Sequence, residues 1–124
     1  MPTVVPHDHA RYAGRSIGTG HCVAFVRDAT GLPQTTAWRR GDPVQGSDLA
    51  PGTAIATFDP NGRYGNHIDQ RSHAAILLAV HDDGSLTVAD QWVGKPVSQR
   101  TIYNRHGKGV PADDAAAYYA IEVA

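Results

Sequence analysis

Cysteine is almost missing from this chain: Cys22 is the only one in 124 residues. A single thiol cannot close an internal disulfide, so a disulfide-stapled scaffold is excluded and no oxidising compartment is implied. Long apolar runs are missing too. None approaches the roughly 20 residues that span a bilayer, so no membrane insertion is expected. The opening "MPTVVPHDHARY" lacks a basic stretch followed by an apolar one and does not read as a classical signal peptide. Neither sign of charge dominates. Eleven Lys and Arg stand against twelve Asp and Glu, and nothing recommends nucleic acid as a partner. Internal repeats and low-complexity linkers are absent as well.

What is present is punctuation. Thirteen glycines and eight prolines fall between short apolar runs, a pattern of short strands and tight turns. The length suits one domain, 1–124, with residues 1–17 as an irregular arm. A helix is expected from about Gly20 to Ala29, with Thr19 as N-cap and Gly31 as terminator. Cys22, Phe25, Val26 and Ala29 would share its buried face. The stretch from Gly31 to Gly52 reads as loop with a helical turn around Trp38. Strands are expected over Thr53–Phe58, Ser72–Val80, Ser85–Trp92, Ser98–Asn104 and Ala117–Val123, with a turn at Asp83-Gly84. One early helix and about five mostly antiparallel strands make an α+β layout. The polar excursion Asp59–Arg71 would form an exposed flap.

Chemistry enters through Cys22. A lone cysteine is commonly a small core hydrophobe. At a helix N-terminus, however, the dipole and a nearby imidazolium stabilise the thiolate, which is the nucleophilic form. The predicted hairpin brings the start of one strand, His73, beside the end of the next, Asp90 and Gln91. Thiol, imidazole and an orienting polar group would then meet from three segments, the set required for nucleophilic amide hydrolysis. Asp90 and Gln91 compete for the third place. Leu86, Val88 and Asp90 share one strand face, expected to be the one covered by the Cys22 helix, which favours Asp90 and turns Gln91 away. A β-bulge would exchange the two.

The blocks "GHCVAFVR", "LAPGTAIATF", "SHAAILL" and "GSLTVADQW" resemble, in order, those of CHAP domains (cysteine, histidine-dependent amidohydrolases/peptidases). They are also similar to NlpC-type papain-like peptidases and type VI secretion amidase effectors. The resemblance implies a papain-like core over 18–124, with Cys22 as nucleophile, His73 as general base and Asp90 as orienting acid. It also implies peptidoglycan peptides as substrate and, for a delivered toxin, a cognate immunity protein as partner. Such a protein stays cytoplasmic until a dedicated machine exports it to act at the cell wall; a cytoplasmic protein with another amide substrate is the other placement. Two positions depart from the CHAP pattern: His21 stands where glutamine is usual, and Trp92 where asparagine is frequent. Those departures motivate the rival reading, a binding module that kept the fold and lost turnover. His21, Gln91 and Trp92 remain candidates for substrate contact or the third position, and His67 for substrate contact.

The other polar features have plain readings. His7 and His9 around Asp8 lack further paired ligands and read as solvated, so neither metal nor cofactor is expected. Trp38 and Trp92 read as packing residues, Arg39-Arg40 as a solvated pair, and Asp113-Asp114 as the start of a helical turn.

Overall fold

The computed structural model describes residues 11–123. His7, Asp8 and His9, together with most of the expected N-terminal arm, lie outside the described residues. The helix α1, Cys22–Thr30, packs on an antiparallel sheet of six strands: β1 Trp38–Pro43, β2 Ala54–Thr57, β3 Ala74–Val80, β4 Leu86–Trp92, β5 Lys95–Ile102 and β6 Tyr118–Val123. Their order across the sheet is β1-β6-β2-β3-β4-β5, and every pairing is antiparallel. The α+β expectation holds, with one strand more than expected. Among the described residues, no helix is long and apolar enough to cross a membrane.

The additional strand is β1, whose "WRRGDP" has poor strand propensity. Pairing with β6 makes it a strand, and burial of Trp38 anchors it. Gly41 is obligatory there, because a Cβ would stand 2.7 Å from the Ala120 carbonyl oxygen. Arginines on an edge strand also discourage pairing with another chain. At the opposite edge the expected irregular arm does some pairing of its own: Gly14 N–H donates to the Val97 carbonyl at 2.7 Å, and Val97 N–H to that of Arg15 at 2.8 Å.

Helix α1 begins two residues later than Gly20. Its N-cap is His21, not Thr19, and no side chain caps it. Gly31 ends it as expected, in the left-handed conformation at φ 76°, its N–H donating to the Arg27 carbonyl. Phe25 and Val26 are fully buried, with Cys22 and Ala29 half-buried on the same core. The sheet face beneath is dominated by small side chains, Ala54, Ala56, Ala74 and Ala89, with Ile76 and Val97. Alanines let the helix lie close to the strands, so α1 presses directly on β3 and β4.

The sheet's other face carries a second core of Ile55, Leu77, Leu86, Val88, Ile102 and Tyr118. This overturns one expectation. Leu86 and Val88 face away from α1, and the helix covers the face carrying Ala89. The bulkier apolar residues lie on the face without the helix, where only short 3-10 turns and loops cover the sheet and larger side chains must fill the space.

Phe25 is the largest fully buried side chain of α1 and meets Tyr12 edge-on with ring centroids 5.5 Å apart. Phe25→Ala is expected to lower the unfolding free energy by about 3–5 kcal/mol, measurable by urea denaturation.

Candidate active site

β3 starts and β4 ends at the same end of the sheet; the Ile76–Ala89 register carried on sets Asp90 opposite Ala75, so His73 reaches Asp90 diagonally across the hairpin. By strand alternation both lie on the face away from α1, with Leu77 and Val88. His73 Nε2 and Asp90 Oδ2 are 2.8 Å apart, and both residues are buried. The Thr57 hydroxyl accepts the His73 N–H at 3.0 Å and fixes the backbone there.

Cys22 arrives from the opposite face. As the first residue of α1 it stands at the end of the sheet, where its sulfur interacts with His73 and with the Ala74 backbone N–H. The Tyr64 hydroxyl lies 3.8 Å from Sγ. Burial pushes the thiol up, but hydrogen bonding and charge from His73, joined by Ala74 and Tyr64, outweigh it and hold Cys22 below its ordinary value. Burial likewise pulls His73 down. Hydrogen bonds to Asp90 and Cys22, with the charges of both, reverse this and raise it to about 9. Tyr64 is pushed up by burial and by the neighbouring thiolate, so it keeps its proton and can donate toward sulfur. Both shifts favour the thiolate–imidazolium form of the pair.

Asp90 is the most heavily bonded group of the site. Its side chain is wholly buried, yet burial, which raises a carboxyl, is overcome by His73, Arg100 and Lys95, and its value falls to about 2. Arg100 Nε donates to Oδ2 at 2.6 Å, and Lys95 Nζ donates to Oδ1 at 2.9 Å and to the Asp90 carbonyl at 2.8 Å. Both cations also lie over the Trp92 ring, at 4.8 and 5.1 Å, and Trp92 meets His73 edge-on at 6.2 Å.

A cleft of about 650 Å³ opens over Cys22 and His73. The expected flap supplies one wall through Tyr64, Asn66, His67, Ile68 and Gln70. Within it His67 Nε2 sits 3.1 Å from both oxygens of Asp59, and Ile68 is 99% exposed. His21 and Trp92 also line the cleft. Gln91 is not beside His73: it is fully buried on the α1 side of β4 and bonds to backbone of Ile17 and His21. Trp38 is buried against Tyr64, at 5.1 Å between centroids. Arg39 bonds to the carbonyls of Thr36 and Trp38, and Arg40 lies over the Tyr119 ring. Asp114 caps a short 3-10 helix by accepting the Ala116 N–H. Among the described residues, no group of three His, Cys, Asp or Glu side chains is arranged to hold a metal ion.

Three neighbours of this site, Tyr64, Lys95 and Arg100, escape the sequence. Arg100 had a usable signal, since it alternates with Ser98 and Ile102 and, once β4 and β5 pair, shares a face with Asp90. Lys95 precedes the expected start of β5, and nothing distinguishes Tyr64 from other flap residues.

The geometry has counterparts among known proteins. The family model for domesticated amidase effector 2 matches residues 3–121. A solved structure, type 6 secretion amidase effector 2 (Tae2), is 30% identical and superposes with a TM-score of 0.81, over 97% of this chain and 94% of that one. None of the curated proteins matches.

Two titrations check the electrostatics. His73, followed by NMR, is expected to titrate near 9, and Asp90→Asn should bring that midpoint down by removing its largest favourable partner. Asp90 is depressed in the fold, so its stabilising contribution is full above pH 3.8 and is lost as pH falls through about 2. Acid denaturation of the wild type should show that loss, and Asp90→Asn should lack it.

Proposed function

This chain belongs to the domesticated amidase effector 2 family, and from that premise we propose that it is a cysteine-dependent amidohydrolase acting on the peptides of peptidoglycan. The observation that carries the chemistry is the line Cys22–His73–Asp90, with thiol and imidazole lining the cleft and the carboxylate buried behind them at 2.8 Å from the ring. The similarity to an amidase effector of type 6 secretion supports the substrate class.

In the proposed reaction the Cys22 thiolate attacks the carbonyl carbon of the scissile amide. The oxyanion that forms is received by the N–H groups of Cys22 and Val23 at the head of α1, since Ala24 N–H already donates to the His21 carbonyl. The C–N bond then breaks, and the His73 imidazolium gives its proton to the departing nitrogen. An acyl group remains on Sγ as a thioester. Neutral His73 next takes a proton from water, whose oxygen attacks the thioester carbon; the C–S bond breaks, and acid and thiolate are released. Asp90 keeps its charge throughout. With a value near 2 and two other cations on its oxygens, it is far too weak a base to take the histidine's proton. Its role is to orient the ring and stabilise the imidazolium.

The flap Asp59–Arg71 forms the specificity wall, and Trp92 and His21 contact substrate from the other side. The whole chain, 1–124, acts as one domain without cofactor or metal. The likeness to a type 6 secretion effector supports delivery to the periplasm or cell wall of a target cell, with a cognate immunity protein in the producing cell as partner.

Mass spectrometry of purified peptidoglycan after incubation with the protein is expected to show peptides cleaved with addition of water. Cys22→Ala should abolish cleavage and leave the fold intact. Undiminished hydrolysis by that variant would eliminate the cysteine mechanism, and a wild type that binds without cleaving would favour the binding-module reading. Asp90→Ala should cost about 10²-fold or more in rate. His73→Ala should slow iodoacetamide alkylation of Cys22 near neutral pH, because the thiolate loses its counter-ion.

A further inference from the structure

The proposed reaction uses Asp90 and leaves its neighbour Gln91 without a part. Gln91 is fully buried, and a buried amide is costly unless its donors and acceptor are met. All its bonds go to one short stretch of backbone. Oε1 accepts the Ile17 N–H at 2.8 Å, while Nε2 donates to the carbonyls of Ile17 at 2.9 Å and His21 at 2.8 Å. Ile17 and His21 bracket the turn that delivers Cys22 to the head of α1. The turn is closed by a bond from Gly20 N–H to the Ile17 carbonyl, and Gly18 and Gly20 are left-handed at φ 57° and 87°. The helix it feeds has no side-chain cap. Gln91 therefore anchors, from a distant strand, the turn that feeds the helix; it bonds none of the helix's own N–H groups.

Resting on the amidase reading above, we infer that Gln91 is the positioning residue of the nucleophile, fixing the turn before Cys22 against β4 while Asp90, on the opposite face of the same strand, fixes His73. Consecutive strand residues point to opposite faces. One dipeptide of β4 thus sets the separation of sulfur and imidazole, each through a different intermediary. The dipeptide lies where the β4–β5 register shifts, between Asp90 and Trp92, so its side-chain bonds are what hold both anchors in place, and a misplacement of about 1 Å at such a site can cost 10²-fold in rate.

The test uses Gln91→Met, which keeps length and packing and removes all three hydrogen bonds. Its kcat on peptidoglycan fragments is expected to fall at least about 10-fold with KM little changed, as for any group that acts only on the alignment of reacting atoms. The alkylation profile of Cys22 should move to higher pH, because the thiolate retreats from His73. Ile102→Val, in the second core on the other face of the sheet, serves as the purely structural control. It should lower Tm and leave the alkylation profile in place. Gln91→Glu adds an independent reading, since a carboxyl can donate to a carbonyl only when protonated. Its activity relative to wild type should recover as pH is lowered from about 8 to 5. Wild-type kcat and alkylation in Gln91→Met, measured well below its Tm, would overturn the inference. So would an equal shift of the thiol profile in Ile102→Val. If Gln91→Met does not fold, Gln91→Glu decides, and a pH-independent activity ratio overturns the inference. Failure of the amidase reading gives a different result: the wild type would then cleave nothing, or Cys22→Ala would keep its activity, whatever Gln91 does.

Discussion

A carboxylate buried to zero exposure has to be neutralised where it stands, and Asp90 imposes that demand on the end of this sheet. Three cationic groups answer it. His73 comes from the segment leading into β3, Lys95 from the start of β5, and Arg100 from further along the same strand. Each is held by the need to reach one pair of oxygens, so the carboxylate ties β3, β4 and β5 together at the point where the cleft opens. Trp92 completes the cluster, because Lys95 and Arg100 place their charge over its ring while they bond to Asp90. With its negative charge already shared, Asp90 holds the imidazole in place without competing for its proton.

The second constraint is steric and acts on the other face. Helix α1 can bring Cys22 to the sheet's end only if it lies close to the strands, and Ala54, Ala56, Ala74 and Ala89 permit that approach. Thiol and imidazole belong to opposite faces of the sheet and meet around its end. This explains why a site of only a few residues draws on α1, the flap, β3, β4 and β5 together. The flap closes one side of the cleft with Tyr64 and His67, and its own Asp59–His67 pair holds it in shape.

Apolar pattern misleads where the helix has two sheet faces to choose from. Leu86 and Val88 are more apolar than Thr87 and Ala89, so that face was expected beneath the helix. The helix instead chose the alanine face, where close approach counts for more than side-chain area. Asp90 nevertheless lies beside His73, because the segment before β3 places His73 on the face that Asp90 shares. The placement held although its stated cause did not. β1 was missed for a related reason: "WRRGDP" has no strand character until β6 offers it a partner and Trp38 finds a core.

Local pattern alone determined the cysteine at the head of a helix, the glycine that ends that helix, the β3–β4 hairpin and the neighbourhood of His73 with Asp90. Each depends on interactions within a few residues or across one tight turn, where periodicity and turn chemistry act directly. Tertiary structure decided which sheet face the helix covers, that Gln91 reaches back to the turn before Cys22, and that Lys95 and Arg100 share the charge of Asp90. Those outcomes rest on contacts between segments up to 74 residues apart, as from Gln91 to Ile17. Such contacts leave no period in the chain, because the burial that selects them exists only once every layer is in place.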